Sequence, residues 1–94
     1  MTYKVKTIDT SHVRLTEDIL ELTELLAKNV HEHWASQRLS EGWNYGTSRN
    51  DQRKETPVLV PFEELPESEK EYDRKTALET LKAIIALGYS IKKD

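Results

Sequence analysis

RLTEDILELTELLAKNVHEHWASQRLSEG, residues Arg14 to Gly42, decides the fold of this chain. Ile19, Leu22, Leu26 and Val30 recur at spacings of three and four, so they fall along one face of a helix and predict its buried stripe. Thr16 stands where an N-cap belongs, Glu17 and Asp18 suit the positive end of the helix dipole, and Gly42 supplies the stop. The stretch reads as one long helix.

On its N-terminal side, TYKVKTI alternates Tyr3, Val5 and Thr7 with Lys4, Lys6 and Ile8, the pattern of a short edge strand within an extension over residues 1–15. On its C-terminal side the helical period is lost from Trp43 to Pro61. WNYG and PVLVPF read as short extended pieces, able to pair as a hairpin or to join the first strand, around an exposed polar loop, TSRNDQRKET. Farther on, ELPESEKEYDRK crowds acids after a proline suited to a first helical turn. Thr76 and Glu79 then form a capping box, which predicts a short acidic helix followed by a separate last one. That last helix carries Ala77, Leu78, Leu81, Ile84 and Ile85 on one face and stops at Gly88, with YSI as a closing strand. The expected fold is a single α+β domain over residues 1–94, two main helices with a short connecting helix packed on a small sheet of short strands.

Composition narrows the function classes. Ninety-four residues bury one modest core, and 36% hydrophobic with 33% charged residues suits a soluble globular domain. A net charge of −3 gives no broad positive field, so nucleic acid is a poor candidate partner. The absence of cysteine removes disulfides, thiolate metal sites and thiol nucleophiles. The N-terminus lacks the apolar run of a signal peptide, and AIIAL, the longest apolar run, is far too short to span a bilayer; no membrane partner is expected and the cytoplasm is the default compartment.

Asn29 to Gly46 concentrates two histidines, two tryptophans and a tyrosine. His31 and His33 are two apart and project about 200° from each other around a helix, so they cannot chelate one ion, and no metal site is expected. His31, Trp34 and Arg38, at i, i+3 and i+7, do share a face, just beside the Ile19–Val30 stripe. An indole next to a guanidinium and an imidazole could stack and pair a flat anionic or polar molecule, or Trp34 could complete the core with Arg38 covering it. Trp43 and Tyr45 alternate in the next extended piece and are expected to pack over the final helix. Arg49, Arg53 and Lys54 are interrupted by Asp51 and Glu55 and read as a solvated loop. The acids from Glu63 to Asp73 read as a solvated face with no apolar setting to raise a pKa. Catalytic and cofactor motifs are lacking.

The ordered set Asn29-x-His31-x-x-Trp34-x-x-x-Arg38, Gly42-Trp43-x-Tyr45-Gly46, Arg49-x-Asp51, Pro57-x-Leu59-Val60-Pro61-Phe62, Leu65-Pro66, Glu69-Lys70-x-Tyr72, Thr80-Leu81-Lys82 and Ala86-Leu87-Gly88 closely resembles the RyR domain, the repeat of ryanodine receptors. The resemblance is strongest over residues 26–91. It implies an α+β unit of two main helices with short strands, and a single copy of this length is similar to those of bacterial and phage proteins. It does not imply calcium-channel activity, because the pore lies in other parts of the receptor. In the paired receptor repeats, the helix with the Trp and Arg of H-x-x-W-x-x-x-R lines a cleft for adenine-nucleotide-like ligands. The resemblance therefore implies ligand contacts at Trp34 and Arg38, with His31 and Asn29 close by and Trp43, Tyr45 and Arg49 as secondary contacts. The pseudo-two-fold packing of receptor repeats implies that an isolated copy could form a homodimer. The expected function is a non-enzymatic small-ligand module, for a nucleotide-derived molecule, with a protein-interaction or homodimerisation module as the rival.

Overall fold

The computed structural model describes residues 2–94. Helix α1 runs Glu17–Ser40, strand β1 Asn44–Tyr45, strand β2 Glu55–Thr56, a 3-10 turn Phe62–Glu64 and helix α2 Glu67–Ala86. Two helices, a short connecting helix and a small sheet make an α+β domain, as the sequence predicts. No helix among the described residues is long and apolar enough to cross a membrane.

The end of α1 follows from Gly42. Its φ of 91° turns the chain into the left-handed region, so that the Gly42 N–H reaches Leu39 O at 3.1 Å and the Trp43 N–H reaches Arg38 O at 3.0 Å. These are the two bonds of a Schellman cap. α2 closes in the same way through Gly88, φ 100°, with the Tyr89 N–H on Ile84 O at 3.2 Å. A Cβ at Gly42 would meet nothing within 4 Å, so the penalty of a side chain there is backbone strain alone. Gly42→Ala is expected to cost about 1–2 kcal/mol in urea denaturation, with Gly42→Asn closer to wild type; equal stabilities of all three would contradict the cap.

The start of α1 departs from expectation in one detail. Thr16 occupies the N-cap position, but its hydroxyl donates to the Asp18 carboxylate rather than capping a backbone N–H.

The core is small. Ala27, 0% exposed, meets Phe62 and Leu65, with Val58 and Val60 packed around them; Val13, Ile19, Ala77 and Leu81 are also buried. The buried line of α1 is therefore Ile19, Ala27 and His31, not the stripe predicted through Leu22 and Val30, both of which stand open to solvent. The small Ala27 lets the Phe62–Leu65 segment approach the helix closely, and that approach rotates the buried face. Across the helices, Arg74 on α2 grips Glu24 on α1 with Nε and Nη2, at 2.7 and 3.0 Å, while Nη1 donates to Glu71 and Glu67. Its guanidinium lies 6.0 Å from the Phe62 ring centre.

Several extended segments differ from the sequence reading. No strand forms at Tyr3–Ile8 or at Tyr89–Ile91; each is exposed over most of its length and no partner edge reaches it. The radius of gyration, 16.3 Å against about 12 Å for a compact chain of this length, goes with a flattened shape of 44 × 43 × 23 Å, and the base of the arm meets α2, where the Thr10 hydroxyl donates to Glu79 at 2.8 Å. β1 does pair, but with β2 from the polar loop rather than with PVLVPF, and in parallel: Asn44 opposite Glu55, Tyr45 opposite Thr56. A turn closed by the reciprocal Asn50–Glu55 backbone bonds makes so short a parallel connection feasible, and Lys54 Nζ anchors it on Glu41 O at the end of α1. Gly46 is required at this crossing, since a Cβ there would lie 2.6 Å from that of Glu55.

The acidic segment is not a separate helix. It runs unbroken into α2, within which the Thr76 hydroxyl donates back to Tyr72 O instead of capping. The connecting helix is the 3-10 turn at Phe62, and Pro66 takes the N-cap position of α2.

Candidate functional site

Three elements converge beside the C-terminal half of α1. His31 and Trp34 come from α1, Arg49, Val58 and Leu65 from the connecting chain, and Glu69, Tyr72 and Asp73 from one face of α2; together they line a cavity of about 280 Å³. A smaller depression of about 100 Å³ adjoins it, lined by Trp34, Arg38, Trp43, Arg49, Thr56 and Val58. Trp34, Arg49 and Val58 belong to both.

A ladder of rings and cations runs through the pair. The His31 and Trp34 rings stack at 5.6 Å with 24° between planes. The Arg38 guanidinium lies 5.9 Å from the Trp34 ring centre and 5.5 Å from that of Trp43, and Arg49 lies 5.7 Å from that of Trp43. The cap of α1 explains the middle rung: bonding the Trp43 N–H to Arg38 O folds the chain back so that the indole lands on the residue that accepts it. Each arginine also has a carboxylate partner, Glu41 for Arg38 at 3.0 Å and Asp51 for Arg49 at 2.8 Å. A guanidinium has five N–H donors, so donors remain for a ligand on both.

The expected residues are thus sorted by position. His31, Trp34 and Arg38 do share a face, but that face continues the buried line of the helix. His31 is 5% exposed and its Nε2–H donates to Val60 O at 2.7 Å, which makes it a wall and an anchor of the connecting chain. Trp34 is half-buried, with one part in the core edge and the rest in the cavities. Trp43 faces Arg38 and Arg49 rather than α2, while Tyr45, 56% exposed, lines neither cavity. Asn29 is exposed, lines neither cavity and stands about 200° around α1 from His31. Arg53 and Lys54 are exposed loop residues, as read.

Glu69, Tyr72 and Asp73 are the members that the sequence reading missed. Asp73 is half-buried, and its carboxyl pKa is raised above the usual carboxylate value. Burial lifts it, the imidazole of His31 offsets part of the rise, and Glu69 adds to it. The acids of this segment are therefore not all on a solvated face. A carboxyl whose folded-state pKa lies above its unfolded value stabilises the fold below the unfolded value and loses that contribution as pH rises through the folded one. Asp73→Asn is expected to raise Tm at neutral pH and to lose the advantage at about pH 3, below the ordinary carboxylate range. Differential scanning calorimetry at the two pH values checks this, and an identical shift at both would sink it.

Among the described residues, no group of three or more His, Asp or Glu side chains is placed to hold a metal ion. The arrangement can do something else: hold a planar group against the cavity side of Trp34, with carboxylate acceptors from α2 and guanidinium donors from Arg38 and Arg49 around it. The family model of the RyR domain matches residues 3–93, nearly the whole chain and including the N-terminal arm.

Proposed function

The chain belongs to the RyR domain family, and from that membership we propose that it is a non-enzymatic binding module for a small nucleotide-related ligand, seated on Trp34. The observation that carries the reading is the half-buried Trp34 shared by two adjoining cavities, with a guanidinium 5.9 Å from its ring centre. A base packs against the cavity side of the half-buried indole, and an anionic group pairs with the free N–H donors of Arg38 and Arg49. Channel activity is no part of this reading.

The test is a thermal-shift titration with adenosine and guanosine mono-, di- and triphosphates and ADP-ribose. A ligand at a hundred times its Kd adds about 2.7 kcal/mol, which in a domain of this size lifts Tm by roughly 14 °C. Arg38→Gln is expected to weaken binding at least tenfold while the unliganded Tm falls little, because Arg38 is half-exposed. No shift with any of these at millimolar concentration would overturn the reading.

A second reading, a protein-interaction or homodimerisation module, is favoured by a different observation. Leu20, Leu25 and Leu39 on α1, and Tyr3 and Val5 on the arm, are large apolar side chains open to solvent. Sedimentation at rising concentration separates the two: an interface raises the mass without ligand, and a ligand site does not.

A further inference from the structure

The larger cavity has a polarity that stacking alone does not explain. Its α2 side presents two carboxylates, Glu69 and Asp73, four residues apart on one face of the helix. Of the basic side chains of α2 near Asp73, Lys70 pairs with Glu67 at 3.6 Å, and Arg74 with Glu24, Glu67 and Glu71. Asp73 lies between them in sequence and faces the cavity. Among the described residues nothing donates a hydrogen bond to it and no cation pairs with it; only the His31 imidazole and the Glu69 carboxylate act on it electrostatically. His31 cannot serve as an Nε2 donor there, because that N–H is already held by Val60 O. Its oxygens are open to the cavity rather than sealed from water, so without a protein donor they are free to accept hydrogen bonds from a ligand.

Size narrows what can answer it. A cavity of about 280 Å³ lies at the lower end of small-molecule sites. It admits one planar base rather than a whole nucleotide, and the remainder extends into the adjoining depression beside Arg38 and Arg49. An ionised carboxylate is acceptor-only, with two oxygens side by side. Guanine offers two adjacent donors, N1–H and the N2 amino group, which match that fork. Adenine alternates its amino donor with acceptor nitrogens and matches an amide instead.

Resting on the nucleotide reading above, we propose that Asp73 is the base-reading residue of the cleft and that it selects guanine: the base lies in the cavity against Trp34, its N1–H and N2 amino group donate to the Asp73 carboxylate, and its phosphate lies toward Arg49 and Arg38. Glu69 stands one turn away as the second acceptor of the same wall.

The experiment is calorimetric titration of wild type and Asp73→Asn with GMP, IMP and AMP. In wild type GMP binds tightest; loss of the N2 amino group in IMP weakens binding by about five- to hundredfold, the range of one good bidentate contact, and AMP is weaker again. Asp73→Asn keeps the size of the side chain but presents one donor and one acceptor, so its preference shifts toward AMP. The Asp73→Asn protein is expected to fold, and its unliganded Tm confirms that it does. Direct support comes from the Asp73 carboxyl carbon resonance, whose titration midpoint moves down when GMP is bound. Equal affinities for the three nucleotides, or a GMP preference that Asp73→Asn leaves intact, would overturn this inference and leave the nucleotide reading standing. Failure of all three to bind overturns this inference, and the nucleotide reading falls with it only if the di- and triphosphates and ADP-ribose also give no thermal shift.

Discussion

Phe62→Ala is expected to lower the unfolding free energy by about 3–5 kcal/mol, the range for deleting a buried aromatic ring. A chain of 94 residues holds in total about 5–14 kcal/mol, so this one substitution removes a large share of it and leaves a protein that unfolds near physiological temperature. The reason lies in how few large side chains the core has. Phe62 is 3% exposed and meets Ala27 and Leu65; it tilts against His31 at 6.3 Å between ring centres and carries Arg74 on its face. Its removal opens a cavity between α1 and the 3-10 turn and takes the floor from beneath the Glu24–Arg74 clamp. Phe62→Leu, which refills much of the volume, is expected to lose less than half as much. Urea denaturation of both variants decides: a loss below 1 kcal/mol for Phe62→Ala would mean that the turn is peripheral to the core.

His31→Ala should follow closely, at about 2–4 kcal/mol. Two losses combine. The ring fills the space between Trp34 and Phe62, and its Nε2–H satisfies Val60 O, a carbonyl in the half-buried segment that carries the cavity wall. An acceptor stranded by mutation keeps its desolvation penalty. His31→Gln, able to reach the same carbonyl, should recover part of the loss. The comparison also bears on ligand assays: loss of binding in His31→Ala would report a collapsed wall, not a missing contact, whereas Arg38→Gln tests contact itself. Full stability in His31→Ala would refute the anchor.

Some of this was legible in the sequence and some was not, for identifiable physical reasons. Helix ends marked by Gly42 and Gly88 were legible because a positive φ leaves few alternatives to glycine. The shared face of His31, Trp34 and Arg38 was legible because helical spacing is rigid. The depth of that face was not. His31 is polar, and its burial depends on a carbonyl 29 positions away that no local pattern announces. The parallel pairing of β1 with β2 was hidden in a polar loop, where the signal is backbone geometry at Gly46 and Lys54 rather than hydrophobic alternation. Asp73 was missed through a single misplaced boundary. Reading Thr76 as a cap detaches the acids from the last helix, whereas one continuous helix sets Glu69, Tyr72 and Asp73 at i, i+3 and i+4 on a common face toward α1. The N-terminal alternation, by contrast, is real in the sequence but finds no edge to pair with.

The chain has two tryptophans, and both stand in the ladder of rings and guanidinium groups beside the cleft. Its tryptophan emission therefore comes from this one corner of the molecule. Under the proposed function, a base against Trp34 would displace water from one indole and a phosphate near Arg49 would alter the field on the other, so the unlabelled protein would report occupancy through its own tryptophans.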